Sequence, residues 1–265
     1  MTMSAETPIR RSALESVHAR LGATWRSDTE RWPVSYGDEA REASVLREGI
    51  ALAEPGPYEK LLVRGPSTLV DLRWLGLAAR AGNLEPARTI EGINAWVPAD
   101  DEAILVRAAG VGAAPGRAAT VATESLGEIS EKLRSAGPSV VDVSSAYTIF
   151  RLVGPRLREL MQELCPVDLS ARAVADLRIV QAPVAGSRMV LARRDHGDIP
   201  GFVLLVVRDE AEYVWDVMVE LGAAYGLRPV GAAAIRPPMS SNAGAPVSPP
   251  ASSPPTSPPF AGAAR

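Results

Sequence analysis

The segment Asp195-His196-Gly197-Asp198 places two carboxylates beside an imidazole. Such a group could hold a metal ion, or the histidine could activate a serine nucleophile. Adjacent residues of a strand point to opposite faces, however, and no further ligands with metal-binding spacing accompany them. The sequence also has no G-x-S-x-G turn for a serine nucleophile. We therefore expect neither metal binding nor hydrolase chemistry.

The second histidine and the single cysteine offer less to chemistry. His18 falls on a predicted amphipathic helix, where we expect it at the surface. Cys165 precedes Pro166 at a helix end, with no basic neighbour nearer than Arg158 to stabilise a thiolate. One cysteine forms no internal disulfide, which agrees with a reducing compartment. We expect an unreactive thiol that is buried or half-buried.

Two stretches of the chain share one pattern, YEKLLVRGPSTLVDLRWLG from Tyr58 and YTIFRLVGPRLRELMQELC from Tyr147. Each begins with alternating apolar residues, which predict a strand, and continues through Gly-Pro into apolar residues at helical spacing. Proline suits the start of a helix because its φ is already helical and it has no N–H to leave unpaired. The pattern predicts a strand, a turn and a helix in each copy.

A hairpin and a second helix follow each copy. INAWVPADDEAILVR predicts two arms joined at Asp100 and Asp101, and the later arms lie around 189–191 and 201–207. SLGEISEKLRSAG and DEAEYVWDVMVELGAAYG supply the helices. We therefore predict an α+β fold of two pseudo-repeated split β-α-β units.

These units define the expected domains. A flexible N-terminus covers 1–9, the first half covers 10–138 and the second half covers 139–236. Residues 237–265 contain nine of the 23 prolines among serine and alanine, which bury too little surface to offset the entropy of ordering. We expect a disordered tail, either passive or docking an aromatic groove as polyproline II.

Charge and hydropathy exclude several classes of function. The 265 residues carry 28 basic and 31 acidic side chains, a formal charge of −3, without the basic patch that nucleic acid requires. No apolar run reaches the roughly 20 residues that span a bilayer. The N-terminus has no apolar segment of the kind found in secretory signals. We expect a cytoplasmic protein that binds neither nucleic acid nor membranes.

The order of these motifs resembles the aminomethyltransferase family, the T-proteins of the glycine cleavage system. An initial helix leads to a Pro-Val-x-Tyr-Gly segment, then to a helix ending in Arg and Gly, then to a strand entering a Gly turn. The matching residues are Pro33, Val34, Tyr36, Gly37, Arg47, Gly49 and Gly65. The likeness covers about residues 10–236, and we expect the family's C-terminal barrel to be absent. The chain is also similar to the gamma subunit of heterotetrameric sarcosine oxidase.

The resemblance implies a T-protein-like fold around a central cavity that binds tetrahydrofolate, and transfer of an aminomethyl or methyl carbon from a small donor. A carboxylate would stabilise the positive charge that develops on the donor amine. The resemblance places Asp100 or Asp101 in this catalytic role, although both could simply form a solvated hairpin tip. The cofactor-binding residues it implies are Tyr36, Trp96, Asp198 and Arg194. Trp96 could equally serve core packing.

Several of the family's motifs are changed in this sequence. The Asn-x-x-Gly-Gly hairpin has lost its glycine pair, and Pro55-Gly56-Pro57 replaces Ser-His-Met. Asp198 stands where a longer glutamate is expected to read the pterin. Two functions therefore stay open: a tetrahydrofolate-associated one-carbon transfer protein, or a non-catalytic subunit of a flavin-dependent amine oxidase complex.

Overall fold

The computed structural model describes residues 10–66, 72–73, 81–86, 93–108 and 126–235. The expected flexible N-terminus, the Pro-rich tail and most of the first copy's predicted helix lie outside these ranges.

Five helices are present in the described residues, and their limits follow local sequence signals. They are α1 (Glu15–Arg20), α2 (Glu39–Glu48), α3 (Leu126–Ala136), α4 (Leu157–Leu164) and α5 (Ala211–Gly222). The side chain of Asp38 caps α2 by accepting a hydrogen bond from the Arg41 amide at 2.9 Å. Helix α4 buries the apolar stripe that the sequence predicts for it. Among the described residues, no helix is long and apolar enough to cross a bilayer.

Short strands organise the N-terminal segment. They are β1 (Arg10–Arg11), β2 (Thr24–Trp25), β3 (Glu30–Arg31), β4 (Pro33–Ser35) and β5 (Ile50–Ala53). β1 pairs with β3 and β2 pairs with β4 as two-stranded sheets. β5 is fully buried and joins one of the two large sheets.

The first large sheet has five antiparallel strands. They are β6 (Tyr58–Arg64), β7 (Asn83–Pro86), β8 (Ile93–Ala99), β9 (Glu102–Ala108) and β10 (Ser139–Asp142). Their order is β10-β6-β9-β8-β7. The predicted hairpin is the β8–β9 pair, with Trp96 opposite Ile104.

The second large sheet has six strands. Its own strands are β11 (Tyr147–Val153), β12 (Ile179–Val184), β13 (Ser187–Arg193), β14 (Gly201–Val207) and β15 (Leu227–Pro229). With β5 included, the order is β15-β5-β11-β14-β13-β12. Apart from the inserted β5, the two sheets have the same strand order. Strands β6 to β10 take the same places in the first sheet as β11 to β15 take in the second.

The two sheets pack face to face between outer layers of helices. Trp96, Ile104, Ile149 and Leu205 belong to the apolar cluster between the sheets. Helix α3 packs on the outer face of the first sheet, and α4 and α5 cover the outer face of the second. The protein is thus a mixed α and β structure of four layers, and cavities open beside the apolar cluster between the sheets.

The sheets interleave along the chain. Strand β10 follows residue 138 but pairs with β6 in the first sheet. Strand β5 precedes that point and pairs with β11 and β15 in the second. A boundary at residue 138, as predicted for the two halves, therefore places β5 and β10 each in a different half from the other strands of its sheet.

Candidate functional site

A cavity of about 410 Å³ lies between the two large sheets. Its apolar walls come from both sheets and include Leu84, Val106, Ile149 and Val203. The polar lining residues include Arg26, Asn94, Arg151, Arg194, Asp195 and His196. A concave, largely apolar site with a few convergent polar groups is the usual form of a small-molecule site.

Two aromatic side chains complete the walls. Trp96 on β8 is buried, 3% exposed, and belongs to the inter-sheet core as well as to the cavity lining. Tyr58 begins β6, and burial raises the pKa of its phenol, so it stays neutral. Flat rings beside apolar residues suit a planar ligand.

Arg151 is the most unusual residue of the lining. It lies in the middle of β11 and is 8% exposed, and within the described part of the chain its Nη1 has no hydrogen-bond partner. Burial, followed by repulsion from Arg194, lowers the pKa of Arg151 to about 10, which leaves the group charged at pH 7. A buried cation with an unused donor is costly unless an acceptor is supplied.

Asp195 is the one carboxylate that lines the cavity among the residues described. It accepts hydrogen bonds from Arg193 Nε and Nη2 at 3.0 Å each and from the Gly201 amide at 3.1 Å. Arg193 Nε also lies 3.3 Å from the second carboxylate oxygen, so four contacts from three N–H groups take up most of the carboxylate's capacity of about four acceptor sites. Beside it, burial and then the positive Arg151 lower the pKa of His196, which favours the neutral imidazole.

Gly201 makes this arrangement possible. A Cβ there would lie 2.4 Å from the Arg194 carbonyl oxygen and 2.9 Å from Arg151 Nη1. The missing side chain lets β14 pass close to the guanidinium of Arg151.

Two of the predicted cofactor-binding residues, Trp96 and Arg194, lie together in this cavity. Asp198 is exposed in the turn formed by the bridge between His196 and Ile199. It follows Gly197, which lines the cavity, so Asp198 lies near the rim rather than in the wall.

The predicted catalytic residues Asp100 and Asp101 form the exposed tip of the β8–β9 hairpin. The carbonyl of Asp101 accepts a hydrogen bond from the Gly65 amide at 3.0 Å. Trp96, the residue of β8 nearest to them that lines the cavity, lies four residues before Asp100, roughly 13 Å along an extended strand. The structure therefore does not bring these carboxylates to the cavity.

The fourth predicted cofactor residue, Tyr36, belongs to a buried polar network. Its hydroxyl lies 2.8 Å from His18 Nδ1, and His18 Nε2 lies 2.9 Å from Glu54 Oε2. Ser12 also donates to Glu54 Oε2, and Thr148 donates to Oε1 at 2.5 Å. The expectation of a surface histidine is wrong: His18 is 0% exposed. Helix α1 directs the His18 side chain into the protein interior, where the Glu54 carboxylate is a buried hydrogen-bond partner.

Sequence reasoning missed Arg151, Tyr58 and Asn94. The available signal was the single arginine in YTIFRLV, a strand whose other residues are apolar or uncharged. A charge in a strand that is buried throughout requires a partner or a function.

Comparisons with known proteins agree on one family. The model described as the GCVT N-terminal domain matches residues 101–237. The aminomethyltransferase of Saccharopolyspora erythraea is 28% identical over 228 residues, which cover 84% of this chain and 60% of that protein. The aminomethyltransferase of Mycobacterium avium is 29% identical over 249 residues, which cover 88% of this chain and 62% of that protein. The chain thus spans about three fifths of the length of these relatives.

Solved structures show the same fold. Aminomethyltransferase T of the Bartonella henselae glycine cleavage system aligns with a TM-score of 0.64 at 15% identity, covering 85% of this chain and 60% of that one. A chain of heterotetrameric sarcosine oxidase from Corynebacterium sp. U-96 aligns with a TM-score of 0.57 at 16% identity, covering 82% of this chain and 96% of that one. The family model spans more than half of the sequence, and this chain therefore belongs to the GCVT N-terminal domain family.

Proposed function

We propose that the protein binds a reduced folate in the inter-sheet cavity and serves one-carbon transfer. The observation that carries the proposal is Arg151, a buried guanidinium with an unused donor in a cavity walled by Trp96. Membership of the GCVT family and the aminomethyltransferase relatives support a folate as the ligand.

The lining residues fit a pterin in shape and in hydrogen-bonding groups. Trp96 and Tyr58 offer flat faces for a bicyclic ring. Arg151 and Arg194 offer donors to ring carbonyl and nitrogen acceptors, and Asp195 is the carboxylate beside them in the lining. Arginine outnumbers carboxylate in this lining, which also suits the carboxylates that a folate carries.

Each residue has a defined part in this proposal. A bound folate would supply a nucleophilic N5 that accepts the carbon. Trp96 would orient the ring, Arg151 would hold its polar edge, and neutral His196 could hold or receive a proton. The apolar walls would exclude water from the reacting nitrogen. Asp100 and Asp101, which the family resemblance implies for the donor amine, lie outside this cavity at the hairpin tip, and the double substitution below tests whether they act in transfer.

Titration with tetrahydrofolate tests the proposal, followed by tryptophan fluorescence because Trp96 lines the cavity. We expect saturable quenching, and no saturable change up to millimolar ligand would refute folate binding. Arg194→Gln should weaken binding about tenfold, or about 1.4 kcal/mol, since it removes a charged donor. Arg172→Gln, an exposed arginine outside this cavity lining, makes the same change in charge and should leave affinity unaltered.

Two further substitutions test the residues taken from the family resemblance. Asp198→Ala should weaken folate binding more than tenfold if the rim carboxylate closes over the ligand. Asp100→Asn with Asp101→Asn tests the predicted catalytic role, which loss of carbon transfer with intact folate affinity would support. Unchanged affinity in the first variant, or unchanged transfer in the second, would remove that residue from the site.

A second candidate function is a non-catalytic subunit of a flavin-dependent amine oxidase complex. The fold shared with a chain of a heterotetrameric oxidase, aligned over 96% of that chain, supports this alternative. Co-purification with a flavoprotein, at a mass above that of this chain alone, would support it. A chain that stays monomeric beside its candidate partners would contradict it.

We also propose that the two large sheets derive from pseudo-repeated halves around the cavity. Their common strand order supports this, and β5 is then an addition to the second half. Residues 237–265 lie outside the described residues, and removing them should leave the free energy of unfolding and folate affinity unchanged.

A further inference from the structure

A second cavity, of about 420 Å³, lies beside the N-terminal strands and is basic in character. Arg10, Arg11, Lys60 and Arg208 line it, together with Ser144 and Trp32. No carboxylate is among its lining residues in the described part of the chain. Tyr58 separates it from the folate cavity proposed above and lines both.

The outer two arginines of this basic cavity already face carboxylates. Arg11 Nη1 lies 2.7 Å from Glu15, and Arg10 lies 4.0 Å from Glu30 and 3.9 Å from Glu59. These are exposed pairs at the edge, and such pairs contribute little. The inner cations make no ion pair among the described residues, and attraction from Glu54 and Asp142 offsets only part of the cost of burying Lys60.

The inner two cations contact only neutral groups. Lys60 is 3% exposed, and its Nζ donates to the carbonyls of Tyr58 at 2.9 Å and Ser144 at 3.1 Å. An ammonium has three donors, so one is left. Arg208 Nη2 donates to the Ser12 carbonyl at 3.2 Å. Burial lowers the pKa of Lys60 to about 8, so its charged form is held at a cost that a nearby anion would relieve.

Trp32 gives an independent indication of a ligand. It is 8% exposed, and its Nε1 has no hydrogen-bond acceptor among the described residues. Buried indole N–H groups usually have a partner, because an unsatisfied donor costs free energy. Because Trp32 lines the cavity and its Nε1 is enclosed, a bound acceptor would satisfy this N–H only by approaching closely against the indole.

We propose that this cavity is a binding site for a small oxyanion, a phosphate or carboxylate group, held by Lys60, Arg208 and the indole N–H of Trp32. The shared chemistry is an anion with several acceptor oxygens, which can accept from two cations and one neutral donor together. The proposal does not depend on folate binding.

Calorimetric titration of the full chain tests this site with sodium phosphate and, separately, with sodium succinate, each against sodium chloride at equal ionic strength. We expect saturable binding of at least one oxyanion. Binding of phosphate alone, or of succinate alone, would identify which group the cavity takes. Heats no different from those with chloride would overturn the proposal.

Variants locate the binding. Arg208→Gln should weaken anion binding about tenfold, while Arg172→Gln should leave the affinity for the anion unchanged. Trp32→Phe removes the N–H and keeps an aromatic ring, so affinity should fall about fivefold while the anion-free protein stays at least as stable. Trp25→Phe is the matched control, since Trp25 lies outside this lining and stacks with Arg31. Equal losses in the controls, or an unchanged affinity in Trp32→Phe, would refute the site.

Discussion

His18 Nε2 lies 2.9 Å from Glu54 Oε2, and both side chains are 0% exposed. Around this pair, Ser12, Thr148 and Tyr36 bring together the N-terminal segment, the end of β5 and strand β11. A buried carboxylate is tolerated only when its oxygens are satisfied. The pair therefore fixes how the N-terminal helix meets the second sheet.

Glu54→Gln should destabilise the protein by about 3 kcal/mol, because it replaces a buried charge that several donors satisfy. Burial opposes ionisation of Glu54, yet the hydrogen bond and charge of His18, with bonds from Ser12 and Thr148, hold its pKa below the ordinary 4.5. The stabilisation is therefore present above about pH 4.5 and lost as pH falls through the lower folded pKa.

Urea unfolding between pH 3 and pH 7 measures this effect. The difference between wild type and Glu54→Gln should shrink at acid pH. Glu48→Gln, on the exposed side of α2, should behave as wild type. A constant difference across the pH range would show that Glu54 is not ionised in the fold.

Tyr36→Phe should cost about 1 kcal/mol, because His18 Nδ1 loses its hydrogen-bond partner in a buried site. Its hydroxyl is already engaged, so we expect the affinity for tetrahydrofolate to be unchanged. Thermal unfolding and the fluorescence titration check the two statements, with Tyr213→Phe as an exposed control. A loss of affinity without a loss of stability would instead place Tyr36 in the cofactor site, as the sequence predicts.

Lys60→Met should reveal the cost of a buried ammonium. Burial lowers the pKa of Lys60 from 10.5 to about 8, so the unfolded chain binds more protons between these values and the stability of wild type rises with pH there. Relative to Lys60→Met, wild type should gain up to roughly 3 kcal/mol from pH 8 to pH 10.5. Lys132→Met, at an exposed position of α3, should show no such pH-dependent difference. A difference between wild type and Lys60→Met that does not change from pH 8 to pH 10.5 would mean that the lysine stays charged without cost.

Gly231→Ala should destabilise the protein by about 3 kcal/mol, because a Cβ would lie 2.0 Å from the Val34 carbonyl oxygen. The Gly231 amide also donates to Glu42 Oε2 at 2.6 Å, so the backbone has little room to move away. Gly22→Ala is the comparison, since Gly22 has φ +76° and open space, and its cost should be about 1 kcal/mol of backbone strain. Denaturant unfolding compares the two, and equal costs would mean that the chain relaxes around residue 231.

Local patterns were sufficient for elements whose periodicity is strong. The apolar alternation from Tyr147 and the helical stripe from Leu157 predict β11 and α4. The hairpin ending at Asp100 and Asp101 is confirmed as a pair of strands. Weaker segments gave no such signal: β10 has four residues, three of them exposed, and it joins the first sheet through pairing with β6.

The candidate site was less accessible to sequence reasoning because its residues come from distant strands. Trp96 and Arg194 were predicted from the family resemblance and lie together in the cavity. Arg151 and Tyr58 were missed, since nothing in the chain tells which face of a buried strand opens onto a cavity. His18 was misplaced because its partner, Glu54, is 36 residues away.

The sequence alone indicated the family, through the residues and order of its motifs, and it predicted the strands and helices whose apolar periodicity is strong. Tertiary structure decided which charges are buried. Glu54 and Lys60 are both polar residues in unremarkable positions of the chain, and only the packing of the N-terminal segment on the sheets removes them from water. Burial and hydrogen bonding are properties of the assembled layers, and they set the free energy of each charge.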